Sequence, residues 1–276
     1  MKRSCTLLLQ RNLPDVTEKF AENLLRHNSD VTDLYVVESG SDDENLTGYE
    51  TFHANWEDAK INGLRTGRGF NFGLKTLIEK DLDYEFIMMA TGDTQLPEEP
   101  VVKILIDEMD KFPKMGIISP IVWSWNERIT NFVGKKITKA MYVPIPHICW
   151  MFRRDAINDI ISEKPLSVYD DFLYDGTNFR CYGVDTELMM RMYMNDWMFC
   201  VTSATSQKED YDLTDKNYKK MKTNSHSEHR RLMWDEGLAW FERKYGFKDK
   251  HGLNSLLRRE YISFFDRNPD MSNFVY

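Results

Sequence analysis

The 276-residue chain carries 36 Lys and Arg against 44 Asp and Glu, a formal net charge of −8, with 42% hydrophobic and 29% charged residues. That composition is expected of a soluble globular protein, and the sequence has no apolar run near the roughly 18 residues that a membrane span needs. Four scattered cysteines, Cys5, Cys149, Cys181 and Cys200, form no CxxC pair and no zinc spacing, which predicts free thiols in a cytoplasmic protein.

The opening MKRSCTLLLQ has an apolar core too short for a signal peptide and reads as a first strand over residues 6–9. Apolar positions Val16, Phe20, Leu24 and Leu25 follow Pro14 at helical spacing, predicting a helix over 15–27. A second strand, 34–37, runs into the turn-forming residues 38–43. Residues 71–80 read as helix, and 86–90 as a third strand that stops at Thr91-Gly92-Asp93. Pro100 opens a helix with Val101, Ile104, Leu105 and Met109 on one face, and a strand over 116–122 follows. Residues 123–146 read as irregular or β, 187–193 as helix, 197–201 as strand and 226–245 as a long helix. Strand and helix patterns thus alternate, which predicts an α/β fold with a mainly parallel sheet. There is no internal repeat and no low-complexity tract.

Ligands of an open parallel sheet collect where strands end at their carboxyl edge. Polar residues at 38–43, 92–95 and 182–187 therefore carry the most weight. Asp93 reads either as a turn residue or as a ligand through which Mg2+ or Mn2+ would reach a diphosphate. Asp185 and Glu187, two residues apart before a helix, read either as a capping pair or as containing a general base. Arg65 and Arg68 either neutralise a diphosphate or solvate a loop. The aromatics Trp123, Trp125, Tyr142 and Trp150 form either an acceptor platform or core packing. Residues 215–260 hold 12 Lys and Arg against 7 Asp and Glu, a solvated helical face or a contact for an anionic acceptor.

In order and spacing these places resemble family two glycosyltransferases of the GT-A fold, particularly the rhamnosyltransferase-like branch. Arg11-Asn12 follows the first strand where the family has an "N-R" type loop, in reversed order. Val36-Val37-Glu38-Ser39-Gly40-Ser41-Asp42-Asp43 is similar to "V-V-D-N-G-S-x-D", with Glu38 in place of Asp, and Gly69-Phe70-Asn71-Phe72-Gly73 to "G-x-N-x-G". Thr91-Gly92-Asp93-Thr94-Gln95 occupies the place of the metal-binding DXD motif. Phe152-Arg153-Arg154-Asp155-Ala156 resembles "I-R-R-x-A/V", Asp171-Phe172-Leu173-Tyr174 resembles "F-D-E-x-F-F", and Tyr182-Gly183-Val184-Asp185-Thr186-Glu187-Leu188 resembles "y-x-E-D-x-D-L". The likeness covers about residues 6–205.

The resemblance implies a metal-dependent, inverting transfer of a sugar from a nucleotide-diphosphate donor, UDP- or dTDP-linked, to an acceptor hydroxyl. It implies Asp185 as base, Asp93 as metal ligand, and donor contacts from Arg11, Glu38, Ser41, Asn71 and Asp93, with Arg65 as a candidate for the diphosphate. The family's later metal-binding His has no counterpart over 201–207; His226 or His229 is the candidate substitute. The implied organisation is a GT-A domain over 1–207, split into a nucleotide-sugar half (1–100) and an acceptor half (101–207), followed by a helical extension over 208–276. The acceptor is a glycan or lipid-linked sugar, or a hydroxymethylated base in DNA, in which case a phage enzyme would act in the host cytoplasm. A nucleotidyltransferase on a related fold would require a Gly-rich, Lys-containing phosphate loop, and Gln10-Arg11-Asn12-Leu13-Pro14 is not one.

Overall fold

The computed structural model describes residues 2–122, 132, 135–161, 167–210 and 212–276. Strand β1 (Ser4–Gln10) is buried along its whole length, as a central parallel strand must be, and pairs in parallel with β2 (Thr32–Glu38) and β4 (Phe86–Thr91). Helix α1 (Pro14–Asn28) connects β1 to β2, with Pro14 in its first turn and Phe20, Ala21 and Leu24 on its buried face. A short β3 (Thr51–His53) extends the parallel edge beyond β2. Two helices, α2 (Glu57–Asn62) and α3 (Arg65–Glu79), lead into β4.

Helix α3 begins six residues before the predicted start at Asn71. Its glycines read as loop in the sequence, yet their role is close packing. A Cβ on Gly69 would lie 2.4 Å from Leu9 Cδ1, and one on Gly73 would lie 2.9 Å from Val37 Cγ2, so only hydrogen lets α3 settle on β1 and β2.

Past β4 come β5 (Thr94–Gln95), α4 (Val101–Asp110), β6 (Met115–Val122), β7 (Thr138–Ala140), β8 (Cys149–Arg153) and α5 (Arg154–Ile160). Helix α6 (Val184–Met194) feeds β9 (Met198–Glu209), which runs two residues past the expected domain limit at 207. The sheet order is β3-β2-β1-β4-β8-β6-β9-β5, with β7 also beside β9; β8 is antiparallel to both β4 and β6. A parallel nucleotide-type half thus joins a mixed half.

Three helices complete the chain: α7 (Asp212–Asn217), α8 (His226–Tyr245) and α9 (Lys250–Arg267). Trp240 and Phe241 of α8 and Leu253, Leu257, Tyr261 and Phe264 of α9 belong to the same apolar core as the sheet. Tyr193 of α6 meets Tyr261 and Phe264 edge-on at 5.5 and 5.7 Å. Among the described residues no helix is long and apolar enough to cross a membrane, and the four cysteines are free. Trp123 and Trp125 lie outside the described residues. Trp150, a proposed platform ring, is instead fully buried, stacked on His147 at 4.5 Å, and Tyr142 packs against Tyr261 at 5.2 Å.

Candidate active site

A cleft opens at the carboxyl ends of β1 and β4. Gln10 and Arg11, Ser39, the segment between α2 and α3 with Arg65, Thr91 to Asp93, and Arg180 form its walls, while Leu213, Met221, Thr223 and His229 of the C-terminal extension close one side. The extension is therefore part of the cleft wall, and it includes His229, one of the two histidines named from the sequence as a candidate metal ligand.

Two residues expected at the donor lie beneath this cleft. Glu38 has no exposed surface; its carboxylate accepts from the Gln10 amide and from Ser41 Oγ (2.5 Å), and burial pushes its pKa up against those hydrogen bonds. Ser41 is equally buried and also accepts from the Asn12 N–H at 2.9 Å. The pair ties the loop after β2 to the loop after β1, so neither lines the cleft. Asn71 also lies off the cleft lining. Its amide donates to the Tyr174 carbonyl (2.8 Å) and accepts from the Tyr174 N–H (2.9 Å), pinning that backbone as a neighbouring strand would.

Cations dominate the cleft. Arg11 is 6% exposed and donates to the carbonyls of Lys60 (2.6 Å) and Ile61 (3.3 Å) at the end of α2, where orphan helix carbonyls favour a cation. Arg65 stands at φ 57°, a left-handed backbone that a non-glycine residue adopts at a cost. Its guanidinium and that of Arg180 share one acceptor, Asn224 Oδ1, at 3.2 and 3.0 Å. Arg180 also pairs with Glu236 at 2.8 Å and approaches His229 Nδ1 at 3.4 Å. Burial, followed by the charges of Arg180 and Arg11, lowers Arg65 to about 10; burial and the charges of Arg65 and Arg180 lower His229 to about 4, which keeps its imidazole neutral. Arg68, in the first turn of α3 and not in a loop, lies over Tyr169 and Phe179 (4.9 and 4.7 Å) and donates to the Gly176 carbonyl, so it is packed and not merely solvated. His226 is not on the cleft; its N–H caps onto Asp215.

Asp93 lines the cleft, half-buried, with Oδ1 accepting from the Thr91 hydroxyl; burial raises its pKa. Asp185 is close by along the backbone network. The backbone N–H of His147 faces its carboxylate, while the next carbonyl, of Ile148, accepts from the N–H of Thr91 (2.9 Å) and from Thr94 Oγ1 (3.0 Å). Asp185 thus lies near the end of β4 that leads to Asp93, although it is not among the residues that line the cleft. Burial raises Asp185 to about 7, only partly offset by the His147 N–H.

His147 itself is a buried anchor that no periodicity in the sequence marks. Its Nε2–H donates to the Met89 carbonyl (2.9 Å), so Nδ1 accepts from the Tyr174 hydroxyl, and the ring is stacked between Phe70 (4.6 Å) and Trp150 (4.5 Å). Burial lowers its pKa to about 3, so the ring stays neutral.

Glu187, the rival base, lies in a separate cluster. With Asp171 and Asp175 it forms a three-carboxylate cluster whose oxygens lie within 4.8 Å of one another. The ammonium of Lys244 from α8 sits among them, 2.7, 2.8 and 2.6 Å from Asp171, Asp175 and Glu187. Tyr245 also donates to Glu187, and Trp240 Nε1 donates to Asp175. A protein cation thus fills what could otherwise hold a metal.

No protein-family model and no curated protein matches the sequence. Solved structures match throughout the fold. One is TarS 1–349 from S. aureus, with TM-score 0.55 and 14% identity over 97% of this chain and 74% of that one. A second is glucosyl-3-phosphoglycerate synthase from Mycobacterium tuberculosis in complex with Mn2+, UDP-glucose and phosphoglyceric acid, with TM-score 0.54 and 10% identity over 88% and 79%. A third is the mannosyltransferase PcManGT from Pyrobaculum calidifontis in complex with GDP-Man and Mn2+, with TM-score 0.52 and 14% identity over 94% and 68%. The chain has the GT-A glycosyltransferase fold.

Proposed function

We propose that this GT-A chain is an inverting glycosyltransferase that moves a sugar from a nucleotide-diphosphate donor to an acceptor hydroxyl. The observation that carries the reading is one cleft at the carboxyl edge of the sheet that combines Asp93 with the guanidinium groups of Arg11, Arg65 and Arg180, beside Asp185 raised to about 7. Arginine matches phosphate oxygens in geometry and charge. A carboxylate with a pKa near 7 is basic enough to take a hydroxyl proton and still ionised at neutral pH.

In the reaction so assigned, the acceptor oxygen bonds to the anomeric carbon as the bond to the diphosphate breaks. The hydroxyl proton passes to Asp185, and the electron pair leaves on the diphosphate, whose charge the arginines neutralise. A divalent cation fits the donor set: Asp93 offers a hard carboxylate and His229 a neutral imidazole on the same cleft. Held there, Mg2+ or Mn2+ would supply further neutralisation of the leaving group. The UDP-, GDP- and Mn2+-bound states of similar structures support this donor class.

For the acceptor we favour a glycan or another small hydroxyl compound over duplex DNA. Several cations of the basic C-terminal segment are engaged within the protein: Lys216 with Asp212, Lys222 with Asp42, Arg231 with Asp235, Arg259 with Glu260, and Lys244 in its carboxylate cluster. A thermal-shift panel of UDP, dTDP and GDP and their sugars, with and without Mn2+, tests the proposal. At least one is expected to raise the melting temperature; a flat response to all of them overturns it.

A further inference from the structure

A donor site that relies wholly on a divalent cation is acidic, because carboxylates must first attract the ion that then neutralises the diphosphate. This cleft has the opposite sign. Among the described residues Arg11, Arg65 and Arg180 line it against the single lining carboxylate of Asp93, while Glu236 pairs with Arg180, Asp42 near Arg11 pairs with Lys222, and Asp210 lies behind Asp93. The cations are held in place: Arg11 by the end of α2, and Arg65 and Arg180 together by one amide oxygen of Asn224. Holding like charges side by side is unfavourable unless an anion joins them. Two further donors await an acceptor, since the buried Nε atoms of Arg11 and Arg65 have no hydrogen-bond partner among the described residues. The left-handed backbone of Arg65 adds a cost that a bound ligand would offset.

We infer that Arg11, Arg65 and Arg180 themselves bind the donor's diphosphate, so that nucleotide binding does not require the divalent cation. The inference rests on the reading of this cleft as the donor site. The doubly ionised diphosphate matches the excess positive charge of the lining. A cation on Asp93 enters beside three guanidinium groups, so it binds well only after the diphosphate is in place and contributes chiefly to transfer. The order of binding follows: nucleotide first, metal second.

Titration calorimetry with UDP, or whichever nucleoside diphosphate the thermal-shift panel selects, tests this in EDTA and in Mn2+. The dissociation constant in EDTA is expected within about tenfold of that in Mn2+. Arg65→Gln and Arg180→Gln should each weaken binding in EDTA by roughly 10- to 100-fold, the scale of a lost charge-assisted hydrogen bond. Asp93→Asn should bind in EDTA at least as tightly as the wild type, because it removes a like charge for the diphosphate. Arg65→Lys, which keeps the charge, should recover part of the loss and controls for misfolding. Binding only in Mn2+, or binding in EDTA unaffected by either glutamine variant, overturns the inference while leaving the donor site standing. Binding in neither condition means that the donor reading itself has failed.

Discussion

Lys244→Met removes the ammonium from the three-carboxylate cluster and keeps the side chain's apolar stem beside Trp240 and Tyr245. Asp175 and Glu187 have side chains only 6% and 2% exposed, whereas Asp171 is 49% exposed and contributes little. Burial opposes the charge of Asp175, yet Lys244, Thr177 and Trp240 outweigh it and lower its pKa from 3.8 to about 2. That depression corresponds to roughly 2 kcal/mol, fully present above about pH 4 and lost as the pH falls toward 2. Glu187 is raised by its burial even with Lys244 at hand, so in the variant two buried carboxylates face each other uncompensated. Removing one member of a buried ion pair costs about 3 to 5 kcal/mol, and the partial exposure of Lys244 puts the expected loss near the lower end, about 3 kcal/mol. For a chain of this size that lowers the melting temperature by roughly 6 °C or more. Carboxylates left unpaired bind protons more readily, so the deficit should shrink between about pH 8 and pH 5. Urea unfolding of variant and wild type across that range measures it. A deficit under about 1 kcal/mol at pH 8, or one independent of pH, refutes the idea that Lys244 is the cluster's counter-ion.

Asp185→Asn should leave donor affinity nearly unchanged and reduce turnover by roughly 100-fold or more, because the proton is taken only in the transition state; Glu187→Gln with the greater loss of turnover at intact stability would reverse the assignment. Wild-type turnover should rise about tenfold per pH unit below the Asp185 pKa of about 7, since the base works ionised, and level off above it; a flat profile from about pH 5.5 to 8 removes Asp185 from that role. His147→Phe keeps the stack with Phe70 and Trp150 but loses the bonds to Met89 and Tyr174. It should slow turnover about tenfold, spare nucleotide affinity and leave the pH midpoint in place, because Asp185 keeps the backbone N–H of residue 147; calorimetry and a pH–rate series check this.

The parts of the fold legible in the sequence are those where local pattern and final environment agree. The helix over 226–245 and the strands before Glu38 and Asp93 stand where periodicity put them. The start of α3 was hidden because Gly67 and Gly69 signal a loop locally, whereas Gly69 is needed for close contact with Leu9 and Gly67 packs against Cys181 and Tyr174. Strand β8 and helix α9 were not separated from their surroundings: β8 is a short apolar run, and α9 has buried positions interleaved with charged ones. In the site, Asp93 was legible because a strand exit points at ligands. Arg180 was not, since it follows an irregular segment and is held at the cleft by Asn224, Glu236 and His229, all from beyond β9.

The two acids of α6 show most clearly why a motif underdetermines a site. Asp185 and Glu187 are equivalent in the sequence: each is a carboxylate in the first turn of a helix, favoured there by the helix dipole alone. What separates them is the partner each one finds. Glu187 meets Lys244 and Tyr245, two adjacent residues of α8, so its charge is consumed in tying the extension to the catalytic half. Among the described residues Asp185 meets a backbone N–H and no cation, so burial lifts its pKa into the range where a proton can be taken and released. The extension that the family motifs omit therefore bears on the catalytic assignment twice, by supplying His229 to the cleft and by neutralising the competing acid.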